Sequence, residues 1–167
     1  MNSDLIFDEL HAGEFGRIQE MSDLASKIVK EYYDPLLGEA QNDYMIKKFQ
    51  SAQSIADQLA SGKRYFFVRE NGEGIGFICF YPREDAMYLS KLYLRSDRRG
   101  KGYARQMLTL VAKEAKKLGL YAIELNVNKY NKSKFIYEKL GFTRQRAERI
   151  DIGNGYFMDD YVYRLNL

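Results

Sequence analysis

The sequence predicts a mixed α/β fold (α+β in its sheet): two antiparallel hairpins, one parallel βαβ unit and about four helices. Two observations carry this. Asn71-Gly72 and Asn154-Gly155 each sit between runs of apolar and aromatic residues, the mark of a hairpin whose tight turn needs positive φ. Between strand-like runs at Met87–Leu94 and 123–127 lies a stretch, 103–118, with Ala104, Met107, Leu108, Val111, Ala115 and Leu118 on one helical face and Arg105, Gln106, Thr109, Lys113 and Lys116 opposite. Strand, crossover helix and strand make a parallel pair.

Taken in order, Leu5, Phe7 and Leu10 read as a short strand. Phe15, Ile18, Met21, Leu24, Ala25 and Ile28 follow at helical spacing. Pro35 is expected to stop that helix, because the residue before a proline avoids helical dihedrals. A second apolar stripe from Asp43 to Leu59 predicts one helix ending at Ser61-Gly62. The first hairpin pairs 65–68 with 75–81, and Pro82 closes its second strand. Its Gly-x-Gly-x-Gly run at 72–76 imitates a phosphate loop but precedes a strand, which favours the hairpin. Gly119 ends the crossover helix. Ile123, Leu125 and Val127 then alternate as a strand, a short helix runs from Ser133 to Gly141, and the last hairpin spans 142–165.

At 167 residues the chain has the length of one domain, 1–167, able to bury its own core. A net charge of +3 argues against a protein that grips nucleic acid over its whole surface. The single Cys79 makes no internal disulfide, and no His/Cys spacing suits a metal. No apolar run reaches membrane length and the N-terminus lacks a leader pattern, so the expected location is the cytoplasm, unanchored. A homodimer stays open.

Chemistry concentrates in Leu92-Tyr-Leu-Arg-Ser-Asp-Arg-Arg-Gly-Lys-Gly-Tyr-Ala104, where a strand empties through two glycines into the crossover helix. First-turn N–H groups lack intrahelical acceptors and sit at the positive end of the helix dipole, so an anion is stabilised there. Gly100 and Gly102 let a phosphate approach the backbone, and Arg98, Arg99, Lys101 and Arg105 add charge. A solvated basic loop capping a helix is the other reading. A Walker-type site needs Gly-Lys-Ser/Thr, whereas Gly102 is followed by Tyr103 and Ala104.

In this strand–loop–helix context, Arg99-x-x-Gly102-x-Ala104 resembles the pyrophosphate-binding motif of the GNAT superfamily of acetyltransferases. Leu125-Asn-Val-Asn128, Asn131 and Phe135-Ile-Tyr137-Glu-Lys-Leu-Gly-Phe142 resemble the second half of that family's cofactor site, and the likeness covers about 65–165. It implies a central mixed, mostly antiparallel sheet splayed at the parallel pair, and acetyl-CoA as cosubstrate. By the same resemblance Leu92, Tyr93 and Leu94 bond the pantetheine arm and polarise the thioester. Arg99, Gly100, Lys101, Gly102, Tyr103 and Ala104 hold the pyrophosphate. Asn131 contacts the cofactor, with Tyr130 the alternative because the spacing to Tyr137 is one residue short, and Tyr137 protonates the departing thiolate. Tyr137 also suits simple packing on its short helix. Where many relatives carry a glutamate base this chain has Ser90, and Glu124 is the substitute candidate, acting through water.

The implied reaction is direct attack of a neutral amine on the thioester. Cys79 in an apolar strand reads as an inert buried thiol, and His11 as a surface or capping residue. Glu31, Asp34, Glu39, Asp43, Asp159 and Asp160 favour a cationic acceptor, and Gly153 to Tyr161 carries a shorter resemblance to the polyamine-acetylating group. Asp159 and Asp160 also suit a solvated edge strand. Spermidine-like amines, protein or peptide amines, and a non-catalytic phosphate- or RNA-binding module are the three functions carried forward.

Overall fold

The structure, a computed structural model, describes residues 4–167, so the start of the N-terminus read for a leader falls outside it. The elements run β1 (Leu5–Leu10), α1 (Phe15–Leu37), α2 (Glu39–Phe49), α3 (Ala52–Ala60), β2 (Arg64–Glu70), β3 (Glu73–Arg83) and β4 (Ala86–Leu94). A 3₁₀ turn at Ser96–Arg98 leads to α4 (Tyr103–Lys117), β5 (Ala122–Asn128), α5 (Ser133–Lys139), β6 (Thr143–Gly153) and β7 (Tyr156–Asn166). The strands hydrogen-bond in the order β1-β2-β3-β4-β5-β7-β6. β4 and β5 are parallel, while β1/β2, β2/β3, β5/β7 and β6/β7 are antiparallel.

Both Asn-Gly turns form as expected, with φ of 50° at Asn71 and 54° at Asn154. Three boundaries differ. α1 runs through Pro35 to Leu37 and ends at Gly38 instead, whose N–H reaches the Asp34 carbonyl at 3.0 Å. A proline in the last turn removes one hydrogen bond and leaves the stripe below it untouched, and that stripe, buried at Ile18, Met21, Ala25, Ile28 and Val29, holds the helix. The single helix expected over 43–59 is two, because Ser51 caps α3 by accepting the Ser54 N–H at 3.2 Å. Among the described residues there are thus five α-helices, against the about four expected. β3 continues past Pro82 to Arg83. Phe15 and Leu118, which share the apolar spacing of their helices, are exposed at the helix ends.

The described chain divides into two compact units, one holding the residues up to Tyr81 with Lys91–Met107, the other Pro82–Ser90 with Leu108–Leu167. In the first, α1 and α3 bury Met21, Ala25, Ile28 and Ile55 in one cluster with Phe67, Phe77 and Cys79 of β2 and β3. In the second, Val111 and Ala115 of α4 are buried, as are Ile123, Leu125 and Val127 of β5 and Val162 and Tyr163 of β7. β7 therefore lies between β5 and β6 rather than at an edge, which β6 occupies.

Candidate functional site

In the first unit, the turn from β4 into α4 exposes Gly100, Lys101 and Gly102. Gly100 and Gly102 adopt φ of 76° and 79°, the left-handed region that a side chain resists. A Cβ built at either residue meets nothing within 4 Å, so the space over this backbone is open. Open space, left-handed glycines and a fifteen-residue helix starting at Tyr103 together fit a diphosphate lying against first-turn amides.

The cations expected around this turn divide. Arg98 is committed to Glu70 (2.9 Å) and Asp97 (3.1 Å). Arg99 donates twice to the Leu94 carbonyl, at 3.0 and 3.2 Å, and its guanidinium lies over the Tyr32 ring. Lys101 and Arg105 remain exposed. The buried Tyr103 donates its hydroxyl to Glu70. That bond, followed by Arg98, holds the Glu70 carboxyl below the usual carboxylate range. Glu70 thus anchors both the 3₁₀ turn and the first residue of α4, and no motif singled it out.

Upstream, Leu92, Tyr93 and Leu94 form the tail of β4. Tyr93 stacks on Phe77 at 5.1 Å between ring centroids and meets Tyr32 and Tyr33 edge-on. The glycine run misread most easily as a phosphate loop has its use here: a Cβ on Gly76 would lie 2.3 Å from the Tyr93 carbonyl oxygen, so only glycine lets β3 run this close to the β4 tail.

Next along β4, Lys91 is only 7% exposed, and its ammonium donates to the Phe49 carbonyl (2.8 Å), Gln50 Oε1 (2.9 Å) and the Tyr65 hydroxyl. Tyr65 passes its own proton toward Gln58 at 2.7 Å. Burial pushes Lys91 down to about 8 and the Tyr65 hydroxyl upward. Lys91 so pins the joint between α2 and α3 to the sheet. Read from sequence, it was an undistinguished member of the β4 run.

In the second unit, Asn131 is buried and accepts the Ser133 N–H at 2.8 Å on Oδ1, while Tyr130 is exposed. Tyr137 is buried on α5, with its ring edge-on to Phe142 at 5.5 Å. Glu124 is engaged otherwise than a free base would be: Arg164 donates to it at 2.6 Å and also holds Asp85 at 3.0 Å. The two acidic residues of β7 part company. Asp159 is half-exposed and 3.9 Å from Arg149, whereas Asp160 is 1% exposed, so an edge-strand, solvating role does not describe it. Asn126 Nδ2 donates to Asp160 at 3.2 Å and to Glu148 at 3.3 Å, and Asn126 Oδ1 accepts the Tyr88 hydroxyl at 2.9 Å. Burial, with the Glu148 and Asp159 charges, raises the Asp160 carboxyl above its ordinary range. Glu148 and Tyr88 had no sequence signal beyond strand alternation, and Asn126 none beyond its place in the Leu125–Asn128 run.

Residues 25–142 match the model of the acetyltransferase (GNAT) family. The chain belongs to that family. GNAT relatives among curated proteins include the L-ornithine N5-acetyltransferase NATA1 of Arabidopsis thaliana, 34% identical over 77 residues, 40% of this chain and 32% of that protein. Another is the ribosomal protein bS18 alanine N-acetyltransferase of Haemophilus influenzae, 28% identical over 98 residues, 58% of this chain and 64% of that protein. The chain thus spans less than two thirds of the curated relatives it matches. Among solved structures, the PaiA N-acetyltransferase of Thermoplasma acidophilum in complex with coenzyme A superposes with a TM-score of 0.79 at 18% identity, covering 98% of this chain and 99% of that one. A GNAT acetyltransferase of Elizabethkingia anophelis with acetyl-CoA bound gives 0.65 at 16% identity, covering 99% and 100%. At such identities these likenesses speak for the fold. Among the described residues no helix is long and apolar enough to cross a membrane, and no group of three or more His, Cys, Asp or Glu side chains is placed to hold a metal.

Proposed function

We propose that this GNAT protein transfers the acetyl group of acetyl-CoA to a primary amine of a small cationic acceptor by direct attack on the thioester, with no covalent enzyme intermediate. The observation that carries the reading is the open, left-handed Gly100–Gly102 backbone at the mouth of α4, inside the stretch that matches the family. Arg99 to Ala104 hold the diphosphate. Leu92, Tyr93 and Leu94 present backbone groups to the pantetheine arm and the thioester carbonyl, which stabilises the oxyanion as the amine adds. Asn131 serves the cofactor, and Tyr137 gives its hydroxyl proton to the departing thiolate. Asp159 and Asp160 favour a cation.

Support for a small amine comes from the ornithine-acetylating relative. Acetylation of a protein amine is the second reading, favoured by the bS18-alanine relative, whose match covers more of the chain. Calorimetry with acetyl-CoA, followed by thiol release in the presence of spermidine, ornithine or an alanine-initiated peptide, tests the set. Binding with turnover of spermidine or ornithine supports the first reading, and turnover of the peptide alone supports the second. Retention of RNA without heat from acetyl-CoA would replace both with a binding module.

A further inference from the structure

Three cations converge on the Tyr161 ring of β7. The Arg144 guanidinium lies 4.1 Å from the ring centroid, and the Lys129 and Lys134 ammonium groups each lie 5.6 Å from it. They come from β6, from the loop after β5 and from α5, all within the second unit. An aromatic face attracts a cation only weakly where water has access, and one ring cannot offset the repulsion among three. Carboxylates are the ordinary remedy, yet among the described residues none forms an ion pair with Lys129, Lys134 or Arg144. The acidic side chains of this face are engaged elsewhere: Glu138 of α5 accepts the Tyr163 hydroxyl at 2.8 Å, and Asp159 stands 3.9 Å from Arg149. Asp160 and Glu148 alternate to the other face, on Asn126, and Lys129 is the last of the influences on Asp160.

The fold holds these like charges together instead of letting them splay. Lys134 Nζ donates to the Lys129 carbonyl at 2.6 Å, and the Lys129 N–H donates to the Asp159 carbonyl at 3.0 Å. Residues 144 and 147 would point to opposite faces of a regular strand. The register shift between Arg144 and Arg146 returns Arg144 to the face of Ala147, which pairs with Tyr161 and sets only a methyl group opposite the ring. We propose that Lys129, Lys134 and Arg144 form a binding site for a phosphate monoester, separate from the diphosphate turn of the first unit and independent of which amine is acetylated. The two oxygens of a carboxylate would be satisfied by the Arg144 fork alone. A tetrahedral dianion has three acceptor oxygens, enough to meet the directional guanidinium and both lysine point charges at once. A free phosphate and a phosphorylated side chain present the same group to this site.

The test is calorimetry at low ionic strength with inorganic phosphate, and with a phosphoserine peptide beside its unphosphorylated form. The wild type should bind the phosphorylated probe with a Kd in the millimolar range or tighter. Arg144→Gln and Lys134→Gln should each weaken binding on the order of tenfold, the loss of one charge-assisted hydrogen bond. Arg149→Gln, which removes a guanidinium already beside Asp159, should leave it within about twofold. Phosphate should raise the melting temperature of the wild type but not of the double variant, whose own melting temperature without phosphate should hold or rise as repulsion is relieved. Heat from inorganic phosphate as well as from the phosphopeptide assigns the site to a free anion, and heat from the phosphopeptide alone assigns it to a phosphorylated partner; either upholds it. Acetyl-CoA should bind the variants as it binds the wild type. A loss there that acetyl-dephospho-CoA, which lacks the ribose phosphate, does not share would give the cations to the cofactor and overturn a separate site. No saturable heat from either phosphate probe, binding undiminished in the double variant, or a preference for single-stranded RNA over both probes overturns it as well.

Discussion

A Lys91→Met variant should match the wild type in stability near neutral pH and fall behind it in alkaline solution. Methionine keeps the unbranched stem but withdraws every N–H. The Phe49 carbonyl retains Gln58 Nε2 at 3.1 Å, and the Tyr65 hydroxyl still donates to Gln58, so only Gln50 Oε1 loses its described partner. One orphaned buried acceptor costs about 1–3 kcal/mol. Against this stands the cost of keeping an ammonium out of water: a fall from 10.5 to about 8 corresponds to roughly 3 kcal/mol, which the variant no longer bears. The two nearly cancel at pH 7, leaving a net change within about 2 kcal/mol, as is usual when an apolar side chain replaces a buried charge. The pH dependence is directional. Because folding depresses Lys91, the unfolded chain binds its proton more tightly, so the stabilising contribution is complete above 10.5 and is lost as pH falls through about 8. At pH 9.5 the wild type should therefore have gained about 2 kcal/mol that the variant lacks. Urea unfolding of the two proteins at both pH values measures this, and taking their difference cancels every other titrating group. A difference that stays flat, or a variant that gains on the wild type, would refute the placement of a charged Lys91 in this pocket.

Tyr137→Phe should lower turnover on the order of 10²-fold or more while leaving the acetyl-CoA Kd within about twofold, since it removes a proton donor and keeps the ring against Phe142; steady-state kinetics beside calorimetry check this, and unchanged turnover removes Tyr137 from the acid role. Gly76→Ala forces a methyl group onto the Tyr93 carbonyl oxygen, 2.3 Å away, and should cost about 1–3 kcal/mol and weaken acetyl-CoA binding through the displaced β4 tail. Thermal melting and calorimetry read both effects, and a wild-type melting temperature would show that β3 and β4 do not approach so closely.

The hairpins, the crossover helix and the glycine turn before it were legible because each depends on local chemistry. Asn-Gly turns adopt positive φ whatever surrounds them, and an apolar stripe of period 3.6 has one way to be buried. Reading failed where tertiary packing outweighed a local preference. Pro35 reads as a stop, yet buried Ile28 and Val29 hold α1 on course past it, and a continuous apolar stripe hid the Ser51 cap that divides α2 from α3. The cations around that turn were counted from their proximity in sequence, but a guanidinium bonds whatever acceptor the fold brings near: Glu70 claims Arg98, and the Leu94 carbonyl claims Arg99.

By itself the sequence determined the order of the strands, the family and the glycine turn at the head of α4, because those are written in spacing and backbone propensity along a continuous stretch. Only the tertiary structure decided that Lys91 sits buried at the α2–α3 joint, that Arg164 occupies Glu124, and that Asp160 is buried without a cation beside Asn126 and Glu148. Residues 126, 148 and 160 are far apart in the chain and carry no shared motif. What sets Asp160 apart from a surface carboxylate is its loss of water and the charge of its neighbours, and only the folded chain brings those about.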